Sequence, residues 1–257
     1  MRRSAYAKIN VSLRVLGRRP DGYHDIESLV VPVSLADELT FRAAPALELT
    51  VRGDVDVPND ERNLVIVAAE TLATACGVEP SAAIELDKRI PAAAGLGGGS
   101  ADAAAALVAL NELWGCGLEG DDLIELAASV GSDVPALIAG RPVRVRGRGE
   151  VVEPATYEPS WWVLVPQPFG LETSEVYRWW DEDGGPRDPA GANDLEPPVL
   201  RRHPELAETK ERLVTEGAVQ AVLCGSGPTI AGRCADEEAA RRIGSRLPGA
   251  IAVSAPP

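Results

Sequence analysis

The most informative segment of the chain reads Pro91-Ala92-Ala93-Ala94-Gly95-Leu96-Gly97-Gly98-Gly99-Ser100-Ala101-Asp102. It follows a strand predicted over 83–90 and leads into residues 101–114, which have very high helix propensity. Four of the five residues 95–99 are glycine, so the backbone can approach a ligand with its N–H groups pointing inward. The helix start adds unpaired N–H groups and the positive end of its dipole. The segment therefore predicts a loop that binds phosphate.

Two familiar glycine motifs match this loop poorly. A Walker loop needs a lysine immediately before the serine, and Gly99 stands there. The segment also lacks the last small residue of the dinucleotide-binding fingerprint, and no acidic residue is suitably placed on a following strand. The remaining alternative is a flexible hinge in which Ser100 caps the helix. We favour phosphate binding, because a linker would rarely lie between such a strand and such a helix.

A second glycine turn, Gly225-Ser226-Gly227-Pro228-Thr229, joins strands predicted over 218–224 and 229–234. Hairpins use such residues routinely, so this turn carries little weight by itself. Together with the first loop, it becomes a candidate for a second backbone surface that faces the same ligand.

Two charged residues have both a structural and a catalytic interpretation. Asp133 precedes a Val-Pro pair and could simply cap a helix, or it could accept a proton from a substrate hydroxyl. Lys8 lies on the polar face of an alternating strand predicted over 5–15, where a lone lysine is usually solvated. Residue types alone favour neither catalytic role.

Strands and helices mix along the chain without strict alternation, which is typical of an α+β fold. A second series of strands and helices begins near residue 155, which predicts two domains, 1–154 and 155–257. Residues 181–192 are rich in Asp, Gly and Pro and form the best loop candidate. Further strands are predicted over 26–33, 39–42, 46–51, 143–146, 151–152, 161–165 and 250–254, and helices over 63–76, 121–130, 172–180, 204–216 and 236–247, with one more beginning at 134.

Composition excludes several classes of protein. The chain has 257 residues and a net charge of −14, which argues against docking onto nucleic acid or anionic membranes. Polar residues interrupt any N-terminal signal sequence, and no apolar stretch is long enough to span a bilayer. We therefore expect a cytoplasmic protein. The four cysteines have no C-x-x-C spacing and are expected to be small buried thiols.

Taken together, these pieces resemble the GHMP kinases, which include galactokinase, homoserine kinase and mevalonate kinase. The resemblance rests first on Ala7-Lys8-Ile9-Asn10-Val11-Ser12-Leu13 followed by Asp21-Gly22-Tyr23-His24, and then on residues 91–105, 131–135, 147–150, 193–196 and 225–229 in the expected order. It implies a nucleotide-binding α+β domain and a ferredoxin-like α+β second domain. It also implies ATP and Mg²⁺ as co-substrate and cofactor, and an alcohol that carries a cytidine diphosphate as acceptor.

The resemblance also implies a role for each site residue. Asp133 would be the general base and Lys8 its cationic partner. ATP would be bound by Asn63 and Lys88 near its base and by Pro91, Ala92, Ala93, Ala94, Gly95, Leu96, Gly97, Gly98, Gly99, Ser100 and Ala101, with Ser100 as a Mg²⁺ ligand. The acceptor would be bound by Asn10, Tyr23, His24, Thr173, Tyr177, Gly225 and Ser226, with His24 reading the edge of the cytosine.

Two alternative functions stay open. One is a GHMP kinase for another small alcohol such as homoserine, although that substrate needs no cytosine pocket. The other is a nucleotide-binding regulator without catalysis, for which Lys8 and Asp133 would have no use. We expect a monomer or a weak homodimer with no nucleic-acid or membrane partner.

Overall fold

The computed structural model describes residues 1–53, 55, 57–186 and 190–256. Two compact units are distinguished: unit 1 comprises Met1–Ala7, Leu35–Ala92 and Gly97–Gly140, and unit 2 comprises Lys8–Ser34, Ala93–Leu96 and the chain from Arg141 onward. This division does not coincide with the predicted boundary at residue 154. The reason is that the first two strands, β1 (Arg2–Arg18) and β2 (His24–Arg42), each contribute to both units.

The part of the sheet that lies in unit 1 contains four strands, with the start of β1 paired to the end of β2. Strand β4 (Ala83–Asp87) pairs antiparallel with the end of β2 and parallel with β3 (Glu48–Arg52). The predicted strands 26–33 and 39–42 are one continuous strand, β2. Asp37, which lies between the two predicted segments, is fully buried, and its carboxylate accepts hydrogen bonds from the backbone N–H groups of Arg89 and Ile90.

Four helices cover this sheet. They are α1 (Leu64–Cys76), α2 (Gly98–Trp114), α3 (Gly120–Val130) and α4 (Val134–Ile138). The core between α1 and α2 contains many small side chains, which allow two helix backbones to approach closely. The buried alanines of α2 are Ala101, Ala103, Ala104, Ala106 and Ala109. Within the described part of the chain, no helix combines the length and the apolar character needed to cross a bilayer.

Unit 2 contains a ferredoxin-like arrangement, as expected. Its strands β7 (Ser160–Val165), β8 (Gln220–Leu223), β9 (Ile230–Cys234) and β10 (Ile251–Ala255) form an antiparallel sheet in the order β10-β7-β9-β8. Helices α5 (Thr173–Glu182), α6 (Glu196–Arg202) and α7 (Pro204–Thr215) lie between β7 and β8 in sequence, and α8 (Glu237–Arg246) lies between β9 and β10. The start of β2 pairs with β5 (Val143–Gly147), which pairs with β6 (Val151–Pro154).

Two elements of unit 2 differ from the sequence prediction. Helix α6 is absent from the sequence prediction; Pro197 and Pro198 lie in its first turn, where proline is tolerated. Helix α5 continues to Glu182, into the predicted loop 181–192. Residues 187–189 of that predicted loop lie outside the described residues.

The cysteines divide into two pairs with different states. Cys224 and Cys234 are buried free thiols, as predicted, and burial raises the pKa of Cys224 to about 12. The prediction is wrong for Cys76 and Cys116, which form a disulfide with their Cα atoms 5.7 Å apart. The spacing of 40 residues gave no sign of this pairing. Cys76 ends α1 and Cys116 follows α2, so the packing of the two helices brings them together.

Loss of this cross-link should destabilise the protein. A disulfide between residues this far apart in sequence restricts the unfolded chain, so Cys76→Ser should lower the free energy of unfolding by about 3–4 kcal/mol. Urea unfolding with and without dithiothreitol measures the effect. Reductant should lower the stability of the wild type to that of the variant and leave the variant unchanged. A wild type that is insensitive to reductant would contradict the prediction.

Candidate active site

The glycine loop has the backbone conformation that its sequence predicts. Ala93, Gly95 and Gly97 have positive φ angles of 50°, 75° and 69°. Gly97 is the N-cap residue of α2, with no side-chain cap, and the first turn contains no acidic residue. The first N–H groups of a helix have no acceptor within the helix, so these remain available to an anion.

The hinge alternative for this loop assigned the N-cap to Ser100. The structure contradicts that cap assignment, because the cap is Gly97 and the helix begins at Gly98. Ser100 therefore lies inside the first turn of α2. Among the described residues, no hydrogen-bond partner is found for its hydroxyl group.

Within unit 2, the glycine loop packs against the second glycine turn. The backbone N–H of Thr229 donates to Ala94 O at 3.3 Å. A Cβ atom on Gly95 would collide with the carbonyl oxygens of Cys224 and Gly227, so only glycine fits at this approach. The two glycine segments that the sequence points to are therefore in contact.

Lys8 is buried beside this contact and is not the solvated lysine that strand alternation suggests. Its backbone N–H donates to Leu96 O at 2.9 Å, and its ammonium group donates to Gly95 O at 3.1 Å and to Asn10 Oδ1 at 2.8 Å. The amide of Asn10 in turn donates to Ser28 Oγ at 2.8 Å. Asn10, which was predicted to bind substrate, thus holds the ammonium group of Lys8 against the glycine loop.

Asp133 stands at the start of α4 in unit 1, and its side chain is exposed. It makes no capping hydrogen bond to the helix. Helix capping, the structural interpretation of an aspartate at this position, is therefore not realised.

The two residues predicted to lie near the ATP base have structural contacts in unit 1. Asn63 caps α1: its side-chain oxygen accepts from Val65 N at 2.9 Å, and its side-chain nitrogen donates to Pro58 O at 2.6 Å. Lys88 is buried, with its ammonium group paired to Asp37 and, at 2.9 Å, to Asp102. The Asn63 contacts shape the start of α1, and the Lys88 contacts join β2 to α2. Binding of ATP by these two residues stays a prediction.

The Lys88–Asp37–Asp102 group, which we call the buried ion triad, joins three segments of unit 1. Asp37 lies on β2, Lys88 lies just before the glycine loop, and Asp102 lies in α2. Burial raises the pKa of Asp102 to about 8; the charge of Lys88 opposes this rise and that of Asp37 adds to it. At neutral pH the proton on Asp102 leaves one cation facing one anion, so the triad buries no net charge.

A second cluster lies in unit 2 around His24, which is buried. The His24 ring stacks on Tyr177, with centroids 4.9 Å apart, and meets the edge of Trp180 at 5.6 Å. Its Nε2 lies 2.9 Å from Asp181 Oδ1. The structure therefore brings together His24 and Tyr177, two of the residues predicted to bind the acceptor.

The other predicted acceptor residues are also placed in unit 2. Tyr23 is 53% exposed, and the guanidinium of Arg148 lies over its ring, 4.2 Å from the centroid. The hydroxyl groups of Thr173 and Ser226 are 3.0 Å apart and share a hydrogen bond. Gly225 lies next to Lys8 and Asn10, and a Cβ atom there would come within 3.1 Å of both side chains.

Sequence reasoning missed several residues that organise these clusters. Nothing in the sequence indicates that Asp37 and Asp102 pair with Lys88, because only the tertiary structure brings the three residues together. Asp181 was placed in a loop and given no role. Asn193 belongs to a motif that was noted without a function; its amide donates to Leu223 O and Gly225 O and so fixes the second glycine turn.

Comparison with known proteins shows to which family the chain belongs. Family models for the GHMP kinases N terminal domain and the GHMP kinases C terminal match residues 63–141 and 187–252. The 4-diphosphocytidyl-2-C-methyl-D-erythritol kinases of Pelotomaculum thermopropionicum and Symbiobacterium thermophilum are 46% and 44% identical over 94% of this chain, and the matches cover 92% and 93% of those proteins.

Solved structures give the same assignment. A crystal structure of 4-(cytidine 5'-diphospho)-2C-methyl-D-erythritol kinase superposes with a TM-score of 0.86 and 35% identity over 99% of each chain. The homoserine kinase of Cytophaga hutchinsonii, at 19% identity and a TM-score of 0.70 over 99% of this chain and 93% of its own, shares the fold. The fold and both family matches define the class of GHMP kinases. Within that class, the chain belongs to the 4-diphosphocytidyl-2-C-methyl-D-erythritol kinase family.

The buried ion triad predicts a pH dependence of stability. Between the ordinary pKa of 3.8 and the raised value of about 8, folded Asp102 holds a proton that the unfolded chain releases. The free energy of unfolding should therefore fall as the pH rises through this range. Asp102→Asn cannot ionise, so its stability relative to the wild type should increase by about 1–3 kcal/mol from about pH 5.5 to about pH 8.5, measured by urea unfolding.

The matched control for that experiment is Asp87→Asn, which neutralises a half-exposed carboxylate paired with Arg89. Its stability relative to the wild type should be nearly constant over the same range. If the Asp102→Asn and Asp87→Asn curves run parallel, Asp102 does not carry a raised pKa.

Gly225→Ala should impair turnover more than stability. The added methyl group meets Lys8 Nζ and Asn10 Oδ1, and a displaced ammonium group should reduce kcat by at least about tenfold. Gly249→Ala is the matched control, because Gly249 also has a positive φ but has no atom within 4 Å of the added Cβ. Equal kcat values for the two variants would show that backbone strain alone, and not contact with Lys8, matters at Gly225.

Proposed function

We propose that this chain transfers the γ-phosphoryl group of ATP to the 2-hydroxyl of 4-diphosphocytidyl-2-C-methyl-D-erythritol, a step of the non-mevalonate isoprenoid pathway. The observation that carries the proposal is Lys8, a buried ammonium group that donates to the carbonyl of Gly95 in the glycine loop itself. A cation fixed on a phosphate-binding loop suits phosphoryl transfer, in which positioning and charge neutralisation dominate. Relatives that are 40–46% identical and carry this kinase name support the choice of substrate.

We assign ATP binding to the glycine loop and the first turn of α2. No side chain caps the N–H groups at the start of α2, and the absence of acidic residues in that first turn leaves their positive potential intact. The triphosphate of ATP is the anion that we assign to them. Asn63 and Lys88 hold the helix and loop that present these groups.

Mg²⁺ fits the donor chemistry of this region. The cation prefers oxygen ligands and is commonly held by few protein groups together with phosphate oxygens and water. In the described part of the chain, no cluster of three or more His, Cys, Asp or Glu side chains forms a metal cage. The hydroxyl of Ser100, in the first turn of α2, is the protein oxygen we assign to it. When bound, Mg²⁺ neutralises charge on the phosphates of ATP.

Asp133 acts as the general base that takes the proton from the attacking hydroxyl, and Lys8 offsets the charge that develops on the transferred group. The cytosine of the acceptor is bound by the cluster of His24, Tyr177 and Tyr23. Thr173 and Ser226, which share a hydrogen bond, contribute a further polar contact to the acceptor. We place the reaction in the cytoplasm and leave the predicted monomer or weak homodimer as an expectation.

A coupled assay of ADP release tests the proposal. Release should require the cytidine diphosphate ester, and homoserine should give no more release than an assay without acceptor. Release that is equal with every acceptor and without one would overturn the assignment as a kinase for this ester. Release with homoserine alone would assign the chain to another GHMP activity.

Asp133→Asn should lower kcat by about 10²–10⁴-fold, because the amide cannot accept the proton. The ATP dissociation constant should change little, since Asp133 is not assigned to nucleotide binding. Steady-state kinetics and fluorescence titration with an ATP analogue measure the two quantities. Asp122→Asn, which removes another exposed carboxylate of unit 1, is the control and should keep wild-type turnover. Near-normal turnover of Asp133→Asn would remove Asp133 from this role.

A further inference from the structure

Asp181 occupies a position from which it can control how His24 recognises a base. Tyr177 and Asp181 are four residues apart on α5, so both side chains lie on one face of that helix. Tyr177 stacks on the face of the His24 ring, while Asp181 Oδ1 lies 2.9 Å from its Nε2. The ring is thus fixed by one contact on its face and another on its edge.

The His24 ring has little freedom to adopt another orientation. Its side chain is only 7% exposed, and Trp180 meets it edge-on at 5.6 Å. The indole N–H of Trp180 donates to Pro186 O, which holds that side chain in place. Arg18 lies 3.8 Å from the second carboxylate oxygen of Asp181, so this carboxylate has a cationic neighbour on its other side.

The contact with Asp181 determines which ring nitrogen carries the proton. A carboxylate can only accept a hydrogen bond, so Nε2 of His24 must be the protonated nitrogen. In the neutral ring, Nδ1 then carries a lone pair and is an acceptor. The described residues offer no hydrogen-bond partner to Nδ1 of His24, so that acceptor is left for a ligand.

An acceptor at this point distinguishes two pyrimidines. Cytosine carries an amino group at position 4, which donates, whereas uracil carries a carbonyl oxygen there, which accepts. An Nδ1 lone pair matches the amino group and repels the carbonyl oxygen. The opposite tautomer, with a proton on Nδ1, would donate to the carbonyl oxygen of uracil and reverse the preference.

We infer that Asp181 is a positioning residue for substrate specificity: it holds His24 in the tautomer whose Nδ1 accepts a hydrogen bond from the 4-amino group of cytosine. This inference rests on the proposed function, because it concerns the base of the proposed acceptor. It assigns a role to Asp181, a residue that does not itself contact the substrate.

The tautomer can be measured without any substrate. The chain has two histidines, His24 and His203, and ¹⁵N NMR of the imidazole nitrogens distinguishes a protonated from an unprotonated nitrogen. His24 should carry its proton on Nε2. His203 provides an internal contrast, because its Nδ1 lies 3.0 Å from Glu205 Oε1 and should be the protonated nitrogen. The spectrum of His203→Gln assigns the signals, and a proton on Nδ1 of neutral His24 would overturn the inference.

Kinetics with three acceptors test the consequence for specificity. The acceptors carry cytosine, uracil, or pyrimidin-2-one, which lacks the 4-amino group but keeps N3. The wild type should prefer cytosine over both of the others. In Asp181→Leu, which keeps the branching at Cγ but cannot accept a hydrogen bond, the cytosine-to-uracil ratio of kcat/KM should fall by about 10–100-fold. The change should lie mainly in KM, since the groups assigned to chemistry are untouched.

The control is Glu182→Leu, which removes the neighbouring carboxylate of α5, a group that pairs with Arg178 and Arg202 instead of His24. Its base preference should equal that of the wild type. An unchanged ratio in Asp181→Leu, or a wild type that accepts pyrimidin-2-one as well as cytosine, would overturn the inference. A wild type that phosphorylates no cytidine diphosphate ester would instead overturn the proposed function, and the NMR result would still report on the tautomer.

Discussion

The buried ion triad is the interaction on which the geometry of unit 1 depends. One ammonium group, that of Lys88, joins β2 through Asp37 and α2 through Asp102, at the point where the chain enters the glycine loop. Buried ion pairs are costly to desolvate and contribute little net stability. Their geometry is nevertheless strict, since each partner must meet the others to avoid an isolated buried charge. The triad therefore fixes the direction in which the loop leaves the sheet and the position at which α2 begins.

A related constraint comes from charge. The chain carries a net charge of −14, and the ligands we propose for it are themselves anionic. We propose that local sources of positive potential meet this requirement: backbone N–H groups at the start of α2 in unit 1 and, in unit 2, Lys8, held by Asn10 and Gly95. Lys88 does not add to that potential, because Asp37 and Asp102 surround its ammonium group and the triad carries no net charge. The net charge makes the surface unfavourable for polyanions, whereas the glycine loop is where we propose that the phosphates of ATP bind.

Sequence reasoning was strongest where a physical requirement is local. A run of glycines before a helix restricts what the backbone can do, so the loop and α2 could be predicted from the sequence. The resemblance to GHMP kinases rested on short motifs and is confirmed by family models and by relatives of high identity. Reasoning failed where partners are distant in sequence. Neither the Cys76–Cys116 disulfide nor the division of β1 and β2 between two units leaves a local trace.

Most of the strands and helices, the two glycine segments and the family could be inferred from the amino-acid sequence, because propensity, turn chemistry and motif spacing act over a few neighbouring residues. The contacts of each polar side chain required the folded structure. Folding makes Asn10, predicted as a substrate ligand, the support of Lys8, and it surrounds Lys88 with acids. It also places Asp181 against His24. Hydrogen bonds and ion pairs act over about 3 Å, and residues far apart in the chain reach that distance only when the whole fold has formed.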